Sequence, residues 1–399
     1  MIRTIPLSIR VWAVVMAACI FISPVAAAPF EACVKGIRAD VLKAGVRADI
    51  VNAAFSDIAF DEKAVRFSRT QPEYRLAIWD YMAFLVDDAR IADGKKMMQA
   101  HEKTLRDIEK AYGVDRSVLT ALWGIESDYG RTKGDFFLPH ALPSVACAGR
   151  RPSYFKAELI QALRIVAAGD VKLDDLNGSW AGAFGHTQFM PSTYRRLAVD
   201  FDRDGRRDTI NSVPDALAST ANFLRKSGWR SGLAWGFEVN VPRAYSGPVG
   251  RSRKSAILAW AKRGISRADG SPLPRTGSYG LIRPAGRAGP AFLVSRNFDA
   301  LYSYNAAESY ALAISHLSDR LDGRAAFRTP WPTDDPGLSR AERKRLQELL
   351  TARGLYKGEA DGRMGPVTAA AIKAAEKQAG LKPTGRPGAR ILKVLAAKQ

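Results

Sequence analysis

Cysteine and histidine are both scarce in this chain of 399 residues, with three of the first and four of the second. No Cys/His spacing of the zinc-binding kind occurs, no glycine-rich loop is set to cradle phosphate, and the aromatic motif of RNA-binding sheets is missing. Long apolar runs are lacking as well: the one from Val11 to Ile22 is short for a membrane span. No internal repeat appears, and the only low-complexity stretch is the alanine-rich end of that same region. Acidic residues are in deficit, 40 Asp plus Glu against 60 Lys plus Arg, which leaves a net charge of +20. Such a balance favours an anionic partner: nucleic acid, a phospholipid surface, or cell-wall polymer carrying peptide carboxylates.

The N-terminus helps to choose among these. Arg3 and Arg10 precede the apolar run, and Ser23-Pro24-Val25-Ala26-Ala27-Ala28 follows it, the pattern of a secretory signal peptide. Pro29 disfavours cutting after Ala28, so residues 1–27 are expected to leave. Met16-Ala17-Ala18-Cys19 loosely resembles a lipoprotein box, which makes a lipid anchor at Cys19 the second choice and the only route to membrane association. Export to the periplasm or cell envelope argues against nucleic acid. It also leaves Cys33 and Cys147, which suggests one disulfide, with two buried thiols as the alternative.

What is present centres on Trp123-Gly124-Ile125-Glu126-Ser127-Asp128-Tyr129-Gly130-Arg131. Asp115 is placed to cap a helix, Val118, Leu122, Ile125 and Tyr129 recur at helical spacing, and Gly130 is a natural stop. Glu126 then rides beside the apolar stripe of a buried helix. A carboxyl so placed resists ionisation, and its raised pKa suits a general acid. The alternative is a surface Glu paired with Arg131 or a lysine.

Three or four helices are expected between Phe30 and Tyr112, and a scaffold helix from Arg150 to Ala168. Ser179 to Tyr194 is rich in glycine and aromatics. Gly178, Gly182 and Gly185 would let backbone approach a ligand, Trp180, Phe184 and Phe189 would offer faces for sugar rings, and Ser179 and Gln188 could supply hydrogen bonds. Taken alone, the stretch could also be a glycine-punctuated helix pair.

Gly124-Ile125-Glu126-Ser127, Ser179-Trp180-Ala181-Gly182-Ala183, Gly185 and Gln188-Phe189-Met190-Pro191-Ser192 together closely resemble the membrane-bound lytic murein transglycosylase B family. The likeness continues through Asp215-Ala216, Ala221-Asn222-Phe223, Gly228-Trp229, Asn297-Phe298 and Tyr304-Asn305, covering about residues 30 to 322. It implies a mainly α, lysozyme-like catalytic domain over 28–325 that cleaves the glycan of peptidoglycan. Carried over position by position, Ser179, Gln188, Tyr304, Asn305 and Tyr310 fall where the family contacts sugar. Phe223 stands where the family can have tyrosine, so a hydroxyl contact is expected to be absent there.

Asp200, Asp202 and Asp204 with Gly205 match the start of a calcium-binding loop, Arg206 offering its backbone carbonyl. Asn211 replaces the usual closing Glu, so Asp208 or Asp215 would have to close the site. The resemblance implies structural calcium here and no cofactor for catalysis; the alternative is an Asp-rich turn without metal. Residues 235–295 read as a small α+β insertion of unreadable function, with a strand at Phe237–Val241 and a helix at Ile257–Ala261. Pro and Asp mark a linker over 326–337. Behind it, Gly354-Leu355-Tyr356, Asp361-Gly362-Arg363-Met364-Gly365-Pro366 and Thr384-Gly385 resemble the three-helix peptidoglycan-binding domain, spanning 338–397. Ala375-Glu376 departs from that pattern, where an aromatic and glutamine are usual, and puts binding strength in question.

Glycosidases with two carboxylates need a second acid across the cleft. Asp128, two residues on from Glu126, would point elsewhere on a helix, and no other acid stands in a comparable motif. The resemblance implies a one-acid route in which Glu126 serves as acid and then base and a 1,6-anhydro sugar forms without water. A hydrolytic muramidase and a catalytically silent wall-binding scaffold are the rival readings.

Overall fold

The computed structural model describes residues 27–69 and 76–397. The expected signal segment before Ala27, with Cys19, lies outside the described residues. Chain order begins with α1 (Ala27–Lys43), α2 (Ala48–Ala54), α3 (Glu62–Arg69), α4 (Ile78–Leu85), α5 (Asp88–Ala100) and α6 (Glu102–Tyr112). Where three or four helices were expected there are six among the described residues, because helices of seven or eight residues show only two turns of periodicity. Phe30, Val34, Ile37 and Val41, at spacings of three and four, form the buried stripe of α1. Helix α7 (Arg116–Ser127) follows, with Asp115 at its N-cap position. Asp115 makes no side-chain cap; the first amide of α7, Arg116 N–H, donates to Glu109 at 3.1 Å.

Next come β1 (Phe136–Phe137), α8 (Leu138–Ala148), α9 (Pro152–Ala167), β2 (Asn177–Gly178), which pairs with β1, α10 (Pro191–Leu197) and α11 (Val213–Lys226). Two apolar cores result. The first contains buried residues of α4 to α7 and α11, and the second those of α1 to α3 and α8 to α10. Cys33 and Cys147 form a disulfide that ties α1 to α8 within the second.

The insertion is a five-stranded antiparallel sheet in the order β4-β6-β7-β3-β5, made of β3 (Gly236–Asn240), β4 (Ser255–Ala256), β5 (Ser266–Arg267), β6 (Ser278–Ile282) and β7 (Ala291–Val294), with α12 (Ile257–Lys262). Side-chain alternation explains how it is mounted. On β7, Ala291 and Leu293 join Trp260 and Phe237 in the sheet's own core, while Phe292 and Val294 face the first helical core. Helices α13 (Arg296–Asn305) and α14 (Glu308–Leu321) then return to that core, and α14 packs along α7.

The segment read as a linker is packed. Phe327 stacks on His316 at 3.8 Å, and the amides of Arg328 and Thr329 donate to Glu238. The last three helices are α15 (Arg340–Ala352), α16 (Pro366–Gln378) and α17 (Ala389–Ala397). Ser339 and Glu342 close a capping box on α15. Glu376 is buried and accepts from Thr384 N–H, Thr384 O–H and Gly385 N–H at 2.6 to 2.7 Å. Ala375 is buried too, so the departure at 375–376 lies in the domain's interior and shapes its loop. Among the described residues, no helix is long and apolar enough to cross a membrane.

Candidate active site

Helix α7 is buried almost throughout, and Glu126 sits in its last turn. The helix stops earlier than its spacing predicts. Asp128 and Tyr129 take left-handed conformations, φ 51° and 60°, followed by Gly130 at 85°. Tyr129 therefore does not extend the apolar stripe; it folds back over Gly124 and donates its O–H to the Arg90 carbonyl at 2.8 Å. A Cβ on Gly124 would stand 2.6 Å from the Tyr129 ring, so the glycine makes this reversal fit.

Burial raises the Glu126 carboxyl from 4.5 to about 7, against a smaller lowering from the Tyr310 O–H, which donates to Oε1. No carboxylate acts on it among the described residues. Asp128, on its reversed turn, is bonded to Arg131 and Arg340 instead. A carboxyl held near 7 can release and regain a proton at neutral pH. Tyr310 is 2% exposed, and its ring stacks with Tyr304 at 6.2 Å and 18°. Tyr304 donates its O–H to the Thr187 carbonyl at 2.7 Å. Phe223 packs on Tyr304 at 4.7 Å, and both residues border the first core and the second, which places the Glu126 neighbourhood at their seam.

The 178–189 segment is neither a helix pair nor a row of sugar platforms. Isolated bridges Gly178–Phe184 and Phe184–Phe189 fold it into a tight double loop. Phe184 and Phe189 are 0% and 2% exposed and belong to the second core; of the three aromatics only Trp180 is partly open. The glycines admit protein: a Cβ on Gly178 or Gly185 would come within 2.3 to 2.5 Å of a backbone oxygen. Ser179 Oγ accepts from Ala183 N–H at 3.0 Å, which leaves its O–H to donate. Gln188, at φ 52°, donates from Nε2 to the carbonyls of Lys133 and Gly185, both at 2.9 Å, so its side-chain oxygen is the free end. Asn305 is exposed at the end of α13, adjacent to Tyr304.

Sequence reasoning missed the groups that join this loop to α7. Ser127 Oγ donates to the His186 carbonyl at 2.5 Å and accepts from Gly130 N–H at 2.9 Å. Trp123 Nε1 donates to His186 Nδ1 at 3.0 Å, and burial lowers that imidazole to about 4, keeping it a neutral acceptor. The signal available was a Trp and a Ser flanking Glu126 on the inward side of the helix, together with the one His of the 179–194 block.

Carboxylate oxygens of Asp200, Asp202 and Asp204 lie within 4.8 Å of one another. Asp215 does not join them. It is fully buried and accepts from the amides of Phe201, Asp202 and Asp208 at 2.7, 3.3 and 2.8 Å, bracing the loop from behind. Asp208 is likewise occupied, by the amides of Ile210 and Asn211. The Arg206 guanidinium sits on Asp204 at 2.8 Å.

The profile of the transglycosylase SLT domain family matches residues 29–319, and that of a peptidoglycan binding domain matches residues 339–395. The chain is similar to membrane-bound lytic murein transglycosylase B of Escherichia coli K12, with 32% identity over 238 residues, 59% of this chain and 64% of that protein. It thus spans a little under two thirds of that relative. Among solved structures it is similar to SltB3 of Pseudomonas aeruginosa in complex with NAG-anhNAM-pentapeptide, with TM-score 0.75 and 38% identity over 92% of this chain and 99% of that one. The Escherichia coli lytic transglycosylase Slt35 in complex with calcium matches with TM-score 0.64 and 26% identity, over 73% of this chain and 92% of that one. The helical body is the lysozyme-like fold of these enzymes, and the chain belongs to the transglycosylase SLT domain family, with a peptidoglycan-binding domain behind it.

Proposed function

We propose that this protein is a lytic murein transglycosylase, cleaving the β-1,4 bond between N-acetylmuramic acid and N-acetylglucosamine without water. The observation that carries this reading is the Glu126 carboxyl at the end of the buried helix α7, held near 7 with a tyrosine O–H on Oε1 and, among the described residues, no second acid acting on it. Glu126 gives its proton to the glycosidic oxygen as the C1–O bond breaks. The muramic acid's acetamido group stabilises the positive C1. The same sugar's C6 hydroxyl then attacks C1 and loses its proton to the Glu126 carboxylate, which restores the acid and leaves a 1,6-anhydro ring. Attack from within one bound ring has the entropic advantage of an intramolecular step, and a buried acid limits competing water.

Tyr310 orients Glu126, and Tyr304 braces the Thr187 loop against α13. The Gln188 oxygen, the Ser179 O–H and Asn305 are left to contact sugar. No cofactor enters this chemistry. A structural Ca2+ would be held by Asp200, Asp202 and Asp204 with the Arg206 carbonyl; three clustered carboxylates suit a hard cation, while the Arg206 guanidinium on Asp204 would weaken the site. A calcium-dependent rise in Tm that Asp202→Ala abolishes would support it. The protein acts in the periplasm on peptidoglycan strands, with no nucleic acid as partner; the lipid anchor at Cys19 is the secondary reading, tested by acyl-label incorporation.

The deciding experiment is mass spectrometry of soluble products after the purified mature protein digests isolated peptidoglycan. Fragments one water lighter than their reducing counterparts, absent with Glu126→Gln, are expected. Reducing fragments would make the protein a hydrolase, and sacculus binding without products would make it a scaffold.

A further inference from the structure

The contact between the C-terminal domain and the catalytic body falls on the turn that follows Glu126. Arg340 opens α15, and its Nη2 donates to Asp128 Oδ1 at 2.8 Å. Arg131 Nε donates to the other oxygen at 3.0 Å, and Arg90 Nη2 lies 3.8 Å from Oδ1. Asp128 is thus set among three guanidinium groups, with its side chain only 15% exposed. Burial pushes its carboxyl up, but the bonds from Arg131 and Arg340 outweigh this and hold it at about 2. Backbone contacts add to the join: Arg340 N–H donates to Asp87 Oδ2 at 3.1 Å, while Asp87 Oδ1 caps α5 through Arg90 N–H at 2.8 Å.

Two further arginines fix the domain away from the turn. Arg386 reaches Asp80 of α4 through Nε and Nη2 at 2.7 and 2.5 Å, and the Arg343 guanidinium lies 4.5 Å from the Phe84 ring centre. The turn itself is where external support matters. Consecutive left-handed, non-glycine residues each cost about 1 kcal/mol or more and persist only when their surroundings hold them. Arg90 adds to the tension. It is 6% exposed, and among the described residues its Nε and Nη1 have no hydrogen-bond partner, so the charges of Asp128 and, less strongly, Asp87 are what stand against a buried cation.

We propose that Arg340 and Asp128 are positioning residues for cleavage: the wall-binding domain supplies, from within the same chain, a cation that locks the reversal that follows Glu126 and ends its helix. The inference rests on Glu126 being the acid, but the contact is testable without that. Docking of the C-terminal domain then does more than tether the enzyme to its polymer. It completes the catalytic turn, so turnover of a small soluble substrate depends on a residue outside the catalytic body.

The test uses the full-length chain with Arg340→Gln, Asp128→Asn, the double variant, and Arg386→Gln as a control that loosens the domain at Asp80 of α4 and at Asp335, away from the turn. Hydrogen exchange of the amides from Asp128 to Thr132 is followed by mass spectrometry. Turnover is measured on short soluble glycan-peptide fragments, and binding by pelleting with sacculi. With Arg340→Gln the turn amides are expected to exchange at least tenfold faster and kcat to fall at least fivefold, with KM within twofold and pelleting unchanged. Asp128→Asn should behave alike, the double variant should be no worse than the worse single one, and Arg386→Gln should leave the turn amides as they are. Unchanged exchange in Arg340→Gln, turnover within twofold of the parent, or losses that multiply in the double variant would each overturn the proposal. Should the parent protein make no cleavage products, the reading of Glu126 falls, while the exchange data still decide whether Arg340 holds the turn.

Discussion

Replacing Glu126 by glutamine should let the protein gain stability relative to the parent as pH rises through neutrality, while abolishing cleavage. The carboxyl titrates at 4.5 in an unfolded chain and at about 7 in the fold, because burial disfavours the charged form. Between those values the folded state binds the proton more tightly than the unfolded state does. Stability from this group is therefore present in full below pH 4.5, lost as pH rises through the window, and gone above 7. At about 1.4 kcal/mol per pH unit the loss comes to about 3 kcal/mol. Glutamine cannot ionise, so the variant escapes this loss, although its amide N–H2 needs a partner that the carboxyl did not and lowers stability by a roughly pH-independent amount. The quantity to read is the pH dependence of the difference. Urea unfolding of both proteins at half-unit steps from pH 4 to 8.5 should show the variant gaining on the parent by about 3 kcal/mol across that range and holding level above pH 7.5. A difference that stays flat would mean that Glu126 ionises as an ordinary surface carboxylate, and the general-acid argument would fall with it.

Since the acid must be protonated to act, kcat/KM on soluble glycan fragments should fall tenfold per pH unit above about 7. Tyr310→Phe removes a bond that lowers the Glu126 carboxyl, so that alkaline limb should move to higher pH, and loss of an orienting bond of about 1 kcal/mol should reduce kcat about fivefold. Gly124→Ala forces a Cβ to 2.6 Å from the Tyr129 ring and should cost about 1 to 3 kcal/mol in urea unfolding; an unchanged midpoint would show that the reversal has slack.

The elements easiest to read were those with long, regular apolar spacing. The stretch from Val118 to Ile125 announces a buried helix, and that alone places Glu126 against apolar neighbours. Where the helix ends was harder to see, because Tyr129 continues the spacing. Two non-local facts decide it: the space above Gly124 and the Arg90 carbonyl waiting for the Tyr129 O–H. Short helices between residues 27 and 112 blurred for a related reason, since two turns give too few repeats to separate neighbours. The segment read as a linker has the composition of a loop, and nothing local reveals that Phe327 would stack on His316.

At the site, sequence pattern identified the chemistry-bearing residues more readily than the structural ones beside them. Aromatics and glycines in 178–189 look the same on paper whether they face a sugar or the protein. Only the fold shows that Phe184 and Phe189 complete a core and that Gly185 admits the Thr209 carbonyl. The acids show the same ambiguity: Asp200, Asp202, Asp204 and Asp215 are alike in sequence, yet the last is committed to three backbone amides and lies outside the cluster of the other three. Asp128 is the sharpest case. Two positions from Glu126, it could be set aside by helical geometry alone, and it does point away from that carboxyl. The reason is different, however: the helix has already ended, and the carboxylate is turned toward Arg340, 212 residues further along the chain. A contact of that separation leaves no periodic trace, so the residue that sequence reasoning could exclude from the chemistry is also the one through which the wall-binding domain reaches it.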